Sequence, residues 1–269
     1  MTLIAILMGT LAAGLGSVLL AALLASALLS RYTQHLLSLA AGALLATSFM
    51  HLLPEAFESD ASPHRLFMTL LIGVVFFFLL DKAELWHHGH EHHHGPHAAH
   101  DAGHTHHAHA HHGDPADHAQ PMGSWAVLLG DSVHAFGDGI LVAAAFMADV
   151  SLGVAASVAV LAHEVPHHMG DLVVLQQGVK HGKSALFKLL MAGGVTVVGG
   201  VVGYALLERH LGILPYWLTV ASSSYIYVAL ADLIPQLQKR LSAQATLAQI
   251  GWLLTGIAMV SGVSALIRH

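Results

Sequence analysis

Long apolar stretches alternate along the chain with short breaks that are polar or rich in Gly and Pro. A helix rises 1.5 Å per residue, so each stretch is long enough to cross the roughly 30 Å hydrocarbon layer of a bilayer. The stretches are too long and too continuously apolar for the strands of a membrane barrel, whereas helices satisfy their own backbone groups in lipid. The pattern predicts eight membrane helices, over 2–29, 34–57, 64–86, 123–148, 152–178, 184–207, 213–237 and 245–267.

The composition supports this picture and limits the chemistry. Of the 269 residues 55% are hydrophobic and only 10% are charged, whereas soluble domains carry about 25% charged residues. We therefore expect an all-α integral membrane bundle that forms a single transmembrane domain over 1–269. The first apolar run is too long for a cleaved signal peptide and has no basic residue before it, so we expect it to remain as a helix. The absence of Cys excludes disulfides and thiolate metal sites, and the formal charge of −6 gives no basic surface for nucleic acid.

The positions of Lys and Arg predict how the helices are oriented. With the N-terminus outside, seven of these residues face the cytoplasm and three face outward, as the positive-inside rule favours. The cytoplasmic seven are Arg31, Lys82, Lys180, Lys183, Lys188, Lys239 and Arg240, and the external three are Arg65, Arg209 and Arg268. We therefore expect a multi-pass protein of the cell membrane (inner or plasma membrane), with both termini outside and the segment 87–122 in the cytoplasm.

The segment 87–122, between the third and fourth predicted helices, is exceptionally rich in His. Fifteen of the 25 His residues lie between His87 and His118. Such a segment cannot bury an apolar core, so we expect it to be a disordered loop in the absence of metal. Its imidazoles can bind Zn, Cu, Ni or Co with little selectivity. Two interpretations stay open: a metal buffer or sensor, and a linker with incidental affinity.

Two predicted helices carry several ionisable residues at membrane depth. Each such group costs about 2.5–3.5 kcal/mol on insertion scales, so each requires a reason. On helix four, His134 and Asp138 are four residues apart and share a face; on helix five, His163 and His167 do the same. If the two faces meet, three imidazoles and one carboxylate can form a four-coordinate zinc shell. One buried His is usually a hydrogen-bonded core residue, but two pairs on consecutive helices favour a metal site.

Further candidates for metal binding lie beside these pairs and on other helices. Glu164 and His168 project from an adjoining face of helix five. On helix two, His51 and Glu55 form a third pair with the four-residue spacing, and helix seven carries Asp232. For these last three residues a role on the metal path and a simple position at the membrane interface both stay open.

Four motifs on these helices carry a family resemblance. Helix four contains His-Ala-Phe-Gly-Asp-Gly at 134–139, helix five His-Glu-Val-Pro-His-His-Met-Gly-Asp at 163–171, helix two Leu-Leu-Pro-Glu-Ala at 52–56, and helix seven Tyr-Ile-Tyr-Val-Ala-Leu-Ala-Asp-Leu-Ile-Pro at 225–235. The motifs resemble those of the Zrt/Irt-like (ZIP) family of metal transporters, and the resemblance extends over nearly the whole chain. It implies inward transport of Zn²⁺ as substrate, with tolerance for Cd²⁺, Fe²⁺ or Mn²⁺, and it suggests a homodimer.

The same resemblance implies a ligand set. The residues implied to hold the ion are His134, Asp138, His163 and His167, with Glu164 beside it. Two departures from the family motifs bear on this set, because Ala135 replaces an Asn and His168 replaces a second Glu. Some members bind a second metal through that Asn and a carboxylate of the sixth helix, yet the corresponding region here, near Thr196, has no carboxylate. We therefore expect one strong transport site and a weak or absent second site.

Three other functions compete with metal uptake. An intramembrane zinc protease would use the H-E-x-x-H pattern that begins at His163. Against a protease, Pro166 disfavours a regular helix there, and the ligands from helix four would fill the coordination position that a catalytic zinc keeps open. A zinc exporter of the cation-diffusion type would show about six spans and a soluble C-terminal domain rather than this pattern. A membrane metal sensor that transports nothing stays open. The expectation is a transporter and not an enzyme.

Overall fold

The structure of the chain, a computed structural model, describes residues 2–25, 29–89, 123–177, 182–237 and 242–267. Within these ranges every regular element is helical, which confirms the all-α prediction. The α-helices are α1 (Thr2–Leu11), α2 (Ser17–Ala25), α3 (Leu29–Thr47), α4 (Leu53–Phe57), α5 (Pro63–Gly89), α6 (Gly123–Ala148), α7 (Val150–Gln177), α8 (Gly182–Glu208), α9 (Leu214–Tyr227), α10 (Ile234–Leu237) and α11 (Ala243–Ile267). Three π-helical segments (Ala12–Gly16, Ser48–Leu52 and Val228–Leu233) and a 3₁₀ turn (Leu211–Ile213) complete them.

The predicted spans correspond closely to these elements. The π-helical segments join α1 to α2, α3 to α4 and α9 to α10, so each pair forms one predicted membrane helix. The predicted fourth and fifth helices are α6 and α7. Helix α3 begins at Leu29, and the second membrane span starts within it at Thr33, one residue before the predicted start. The third continues to Gly89, and the remainder of the predicted His-rich loop lies outside the described residues.

Seven of the described helical stretches are long and apolar enough to cross a membrane. The eighth long helix, α6, has 26 residues, but Asp131, His134 and Asp138 interrupt its apolar sequence. A bundle whose outer helices expose large apolar side chains fits a lipid environment; Leu71, Phe76 and Leu79 of α5 are among these side chains. The membrane architecture is therefore confirmed, and the total of eight spans stays a prediction.

Small residues bring pairs of helices into backbone contact. A Cβ at Gly139 of α6 would collide with the carbonyl oxygen of Thr196 on α8, and one at Gly199 of α8 would collide with the carbonyl oxygen of Phe136. Gly42 and Gly256 play the same part between α3 and α11. Helices in lipid associate through such close packing, since lipid chains are as apolar as the side chains. The contact at Gly139, which is the residue next to Asp138, therefore holds α6 against α8.

A connection of a single residue joins α6 to α7. Asp149 is the single non-helical residue between the two helices, and its Oδ1 accepts a hydrogen bond of 2.8 Å from the backbone N–H of Ser151. This is an N-cap that starts α7 at once. The helices therefore run antiparallel, and residues near the start of α6 face residues near the end of α7. Pro166 does not end α7, which is helical from Val150 to Gln177.

Candidate metal centre

Four polar side chains of α6 and α7 converge inside the bundle. His134 and Asp138 come from α6, and His163 and Glu164 come from α7. We call these four residues the inner cluster. The side chains of Asp138, His163 and Glu164 are buried, whereas that of His134 is 32% exposed. The cluster is therefore enclosed by protein except on the side of His134.

The spacing of the four donor atoms suits a small divalent cation. Nε2 of His163 lies 3.1 Å from Oδ2 of Asp138, 3.3 Å from Oε1 of Glu164 and 3.4 Å from Nε2 of His134. Nε2 of His134 lies 3.2 Å from the same Glu164 oxygen and 3.8 Å from the same Asp138 oxygen. Ligands bonded at 2.0–2.1 Å to a tetrahedral zinc ion are about 3.3–3.4 Å apart. The inner cluster thus needs only small adjustments to surround such an ion.

The hydrogen bonds around the cluster also favour a cation. Oδ2 of Asp138 and Oε1 of Glu164 are buried and receive no hydrogen bond, and a buried acceptor without a donor is unfavourable. Nδ1 of His163 lies 3.1 Å from the carbonyl oxygen of Ala159. A carbonyl only accepts, so Nδ1 carries the proton and Nε2 keeps a free lone pair for a metal.

A second group of polar side chains lies one helical turn away. We call it the outer cluster, and its members are Asp131, His167, His168 and Asp171. Oδ1 of Asp131 is 3.7 Å from Nε2 of both imidazoles, and Oδ2 of Asp171 is 3.5 Å from Nε2 of His167. The His167 side chain is 43% exposed, whereas Asp131 and His168 are buried. The two clusters therefore share the same pair of helices.

Glu164 connects the two clusters. Its Oε1 faces the imidazoles of the inner cluster, and its Oε2 lies 3.0 Å from Nε2 of His168. The exposed rings of His134 and His167 are also neighbours, with centroids 5.8 Å apart. Both clusters consequently open on the same side of the helix pair.

Comparison with known proteins identifies the family. A family model described as ZIP zinc transporter matches residues 1–264. The chain belongs to the ZIP family. Zinc transporter ZIP10 of Danio rerio is 32% identical over 140 residues, which are 52% of this chain and 16% of the relative. Zinc transporter foi of Drosophila melanogaster is 31% identical over 144 residues, or 54% of this chain and 20% of the relative. The Drosophila ZIP13 homolog is 26% identical over 286 aligned positions, which cover 89% of this chain and 79% of that protein.

Membership of the ZIP family confirms the resemblance drawn from the four motifs. The chain spans a fifth or less of the length of the first two relatives and about four fifths of the third. The family is one of transporters, so it favours transport over the zinc protease and over the cation-diffusion type of exporter.

The inner cluster differs in one member from the predicted ligand set. His134, Asp138 and His163 are together as expected, but the fourth member is Glu164, and His167 lies in the outer cluster. His167 lies one turn further along α7 than His163, and its Nε2 faces Asp131 and Asp171 instead, at 3.7 and 3.5 Å. The side chain of Glu164 is long enough to turn one oxygen into the cluster from its adjoining face.

Three predicted residues lie away from both clusters. His51 is buried in the π-helical segment after α3, Glu55 is partly buried in α4, and Asp232 is exposed and accepts a hydrogen bond of 2.8 Å from the side-chain amide of Gln236. None of them joins a group of three His, Asp or Glu side chains among the described residues. Their role on the metal path stays a prediction.

Asp131 and Ser17 were not selected from the sequence, and the structure places them in or against the outer cluster. Asp131 precedes His134 by three residues, a spacing that puts both on one helix face, so the sequence held a signal for it. Ser17 precedes α6 by more than a hundred residues, and its contact with His168 has no local signal. Asp171 ends the motif at 163–171 and follows His167 by four residues, a spacing that puts both on one helix face.

The two positions that correspond to the ligands of a second metal in some family members, Ala135 and the region of Thr196, lie in distinct surroundings. Ala135 is buried and offers no ligand atom. Thr196 is buried where α8 contacts Gly14 and Gly139, so its side chain occupies a helix–helix contact. Neither position therefore offers the oxygen ligand that the resemblance implies for a second metal in some members.

Proposed function

We propose that the chain transports divalent transition-metal ions, with Zn²⁺ as the main substrate, and that the inner cluster is its transport site. The observation that carries this proposal is the set of four donor atoms, two imidazole nitrogens and two carboxylate oxygens, in which each imidazole nitrogen lies 3.1–3.8 Å from the other three donors. Nitrogen and oxygen donors in this ratio suit zinc and also accept Cd²⁺, Fe²⁺ or Mn²⁺. The relatives named above are described as zinc transporters, which supports the choice of ion.

The direction we propose is toward the cytoplasm of a cell that carries the protein in its inner or plasma membrane. Seven of the ten Lys and Arg residues then face inward, as the positive-inside rule favours. Both termini lie outside and the His-rich segment 87–122 lies inside, where its imidazoles receive and buffer the released ion. A homodimer is proposed from the family resemblance alone.

The position of His167 argues against a zinc protease. In an H-E-x-x-H enzyme both His side chains bind one metal and the Glu activates water. In this chain Nε2 of His163 belongs to the inner cluster, Nε2 of His167 faces Asp131 and Asp171, and Glu164 itself offers a ligand oxygen. The arrangement leaves the Glu in the role of a ligand instead of a base.

Zinc uptake by proteoliposomes tests the proposed function. The wild-type chain should take up Zn²⁺, and Cd²⁺, Fe²⁺ and Mn²⁺ should each inhibit this uptake by competing for the site. The His163→Ala variant should take up no Zn²⁺. His210→Ala is the matched control, because His210 is exposed in the turn after α8 and lies in neither cluster. Uptake by His163→Ala that equals the wild-type rate, at equal protein content, would refute the inner cluster as the transport site.

A further inference from the structure

The side chain of Asp131 is buried without a hydrogen-bond donor. The residue is 3% exposed, and neither carboxylate oxygen receives a hydrogen bond. Among the described contacts of this carboxylate, the groups that face Oδ1 are the imidazole nitrogens of His167 and His168, each at 3.7 Å. A buried carboxylate at membrane depth without donors is costly, so this position calls for a cation.

His168 is held so that one ring nitrogen points at the same place. The hydroxyl of Ser17 donates to the carbonyl oxygen of Gly14 at 2.7 Å, and Nδ1 of His168 lies 3.1 Å from that hydroxyl oxygen. Because the hydroxyl has a single proton, Nδ1 is the donor to the oxygen and Nε2 keeps its lone pair. Nε2 is buried, receives no hydrogen bond, and faces Oε2 of Glu164 and Oδ1 of Asp131.

The charge of the two clusters exceeds what one divalent ion neutralises. With neutral imidazoles, the formal charge of Asp131, Asp138, Glu164 and Asp171 is −4. One divalent cation in the inner cluster leaves −2 in a largely buried site, whereas two divalent cations leave zero. Buried charge without a partner is strongly unfavourable.

We propose that Asp131, Glu164 and His168 form a second site for a divalent transition-metal ion beside the inner cluster. Glu164 bridges the two ions, with Oε1 on the inner ion and Oε2 on the outer one. Carboxylate-bridged metal pairs in proteins are about 3.5–4 Å apart. This inference rests on the proposed function, since it assumes that the inner cluster binds the transported ion.

The second site uses other residues than the family's second site. The expectation of a weak or absent second site followed from Ala135 and from the lack of a carboxylate near Thr196. Here Asp131, one turn before His134 on α6, and His168, one turn after Glu164 on α7, supply the ligands. His168, one of the two residues that depart from the family motifs, therefore has a definite function in this chain.

The location of the second site suggests a step in transport. It lies toward the beginning of α6 and the end of α7, the ends that adjoin segments 90–122 and 178–181. His167 and Asp171 border it on the exposed side. Two cations at adjacent sites repel each other, and multiple sites of limited affinity allow release as well as binding. The outer ion is then the one that leaves toward the His-rich segment.

Equilibrium dialysis of the full chain with radiolabelled Zn²⁺ tests the second site. The variants are Asp131→Asn, His168→Asn and His163→Ala, together with the double variant Asp131→Asn/His163→Ala. In His168→Asn the amide nitrogen takes the place of Nδ1 toward Ser17 while Nε2 is removed, so folding contacts are kept. The His-rich segment is identical in all proteins and gives the same background. We expect each single variant to bind one Zn²⁺ fewer per chain than wild type, and the double variant two fewer.

Each outcome separates the two proposals. If Asp131→Asn and His168→Asn bind as much Zn²⁺ as wild type while His163→Ala loses one ion, the second site is wrong and the proposed function stands. If the double variant loses no more than His163→Ala, Asp131 acts only on the inner ion and the second site is likewise overturned. If His163→Ala loses nothing, the inner cluster is wrong. Asp60→Asn, an exposed loop carboxylate, is the matched control and should bind as wild type. Should Asp131→Asn fail to fold by gel filtration, His168→Asn decides the question.

Discussion

The inner and outer clusters lie on the same two helices and are connected by Glu164, yet they differ in exposure. In the inner cluster the imidazole nitrogens lie 3.1–3.8 Å from the other donors, and three of four side chains are buried. In the outer cluster the separations around Asp131 and Asp171 are 3.5–3.7 Å, and the His167 side chain is 43% exposed. The exposed imidazole of each cluster, His134 or His167, marks the side on which an ion can enter or leave, and His167 is the more exposed of the two. The same helix pair can therefore supply both binding and release.

Removal of an inner ligand should have the largest effect. His163→Ala and Asp138→Ala each delete a donor that no neighbouring residue replaces. Transport should fall by more than about 100-fold, since even the loss of outer-shell partners costs about 10–100-fold in metal affinity or activity. Initial rates of Zn²⁺ uptake in proteoliposomes measure this, with His210→Ala as control. Normal uptake rates in both variants would show that the inner cluster is not the transport site.

Acidification should act on both clusters, because each contains two imidazoles. Imidazole binds metal only when it is neutral, and its ordinary pKa is about 6.5. Protonation therefore competes with Zn²⁺, and uptake should fall below about pH 6 by about tenfold per pH unit for each ligating imidazole that must lose its proton. The measurement is Zn²⁺ uptake at fixed free Zn²⁺ between pH 5 and pH 8, about one and a half units to either side of the ordinary imidazole pKa. It shows whether uptake falls or rises on acidification. Uptake that rises steadily on acidification would indicate proton-coupled import instead.

Asp131→Asn should slow transport without stopping it. The inner donors are intact in this variant, but the outgoing ion loses the carboxylate that receives it. We expect a decrease of about tenfold in rate, the lower end of the range for residues next to a metal ligand set. A loss of transport as complete as that of His163→Ala would mean that the two clusters act as one site and do not supply separate steps.

The packing that positions α6 can be tested with two neighbouring glycines. A Cβ at Gly139 would collide with backbone of α8, whereas one at Gly137 would meet no described atom within 4 Å. Gly139→Ala should therefore destabilise the fold by about 1–3 kcal/mol through overpacking. Gly137→Ala should leave it unchanged or stabilise it by up to about 1 kcal/mol, because Ala is the better helix former. Thermal unfolding in detergent compares the two. Equal shifts would show that the contact at Gly139 does not position the helix.

The smallest effect is expected for Ser17→Ala. Ser17 acts through His168 and does not touch the ion itself, so it is a positioning residue. Loss of its hydroxyl should lower the Zn²⁺ affinity of the second site by less than about tenfold and leave the Zn²⁺ affinity of the inner cluster unchanged. Ser17→Thr keeps the hydroxyl and should restore the affinity. Identical binding curves for the Ala and Thr variants would show that the hydroxyl does not orient His168.

Sequence patterns predicted the fold and most of the inner cluster for clear physical reasons. Apolar length alone sets where a helix can cross a bilayer, so the predicted spans follow the helices closely. The four-residue spacing brought His134 together with Asp138, because that spacing is fixed by helix geometry. The exchange of His167 for Glu164 could not be predicted, since it depends on the rotation of α7 about its axis and on the reach of one side chain.

Other features of the structure arise from contacts distant in sequence. The π-helical segments leave the apolar pattern unchanged, so hydropathy gives no sign of them. The bond from His168 to Ser17 joins residues 151 positions apart. By contrast, Asp131 was predictable in principle, because it shares a helix face with His134 and is a carboxylate within a predicted membrane helix.

Zinc-anomalous diffraction from crystals of the full chain tests the central claim most directly, because it locates the ion relative to each donor. We expect a zinc peak about 2.0–2.2 Å from Nε2 of His134, Nε2 of His163, Oδ2 of Asp138 and Oε1 of Glu164. A peak bound by His167 in place of Glu164, or no peak between α6 and α7 at saturating Zn²⁺, would contradict it.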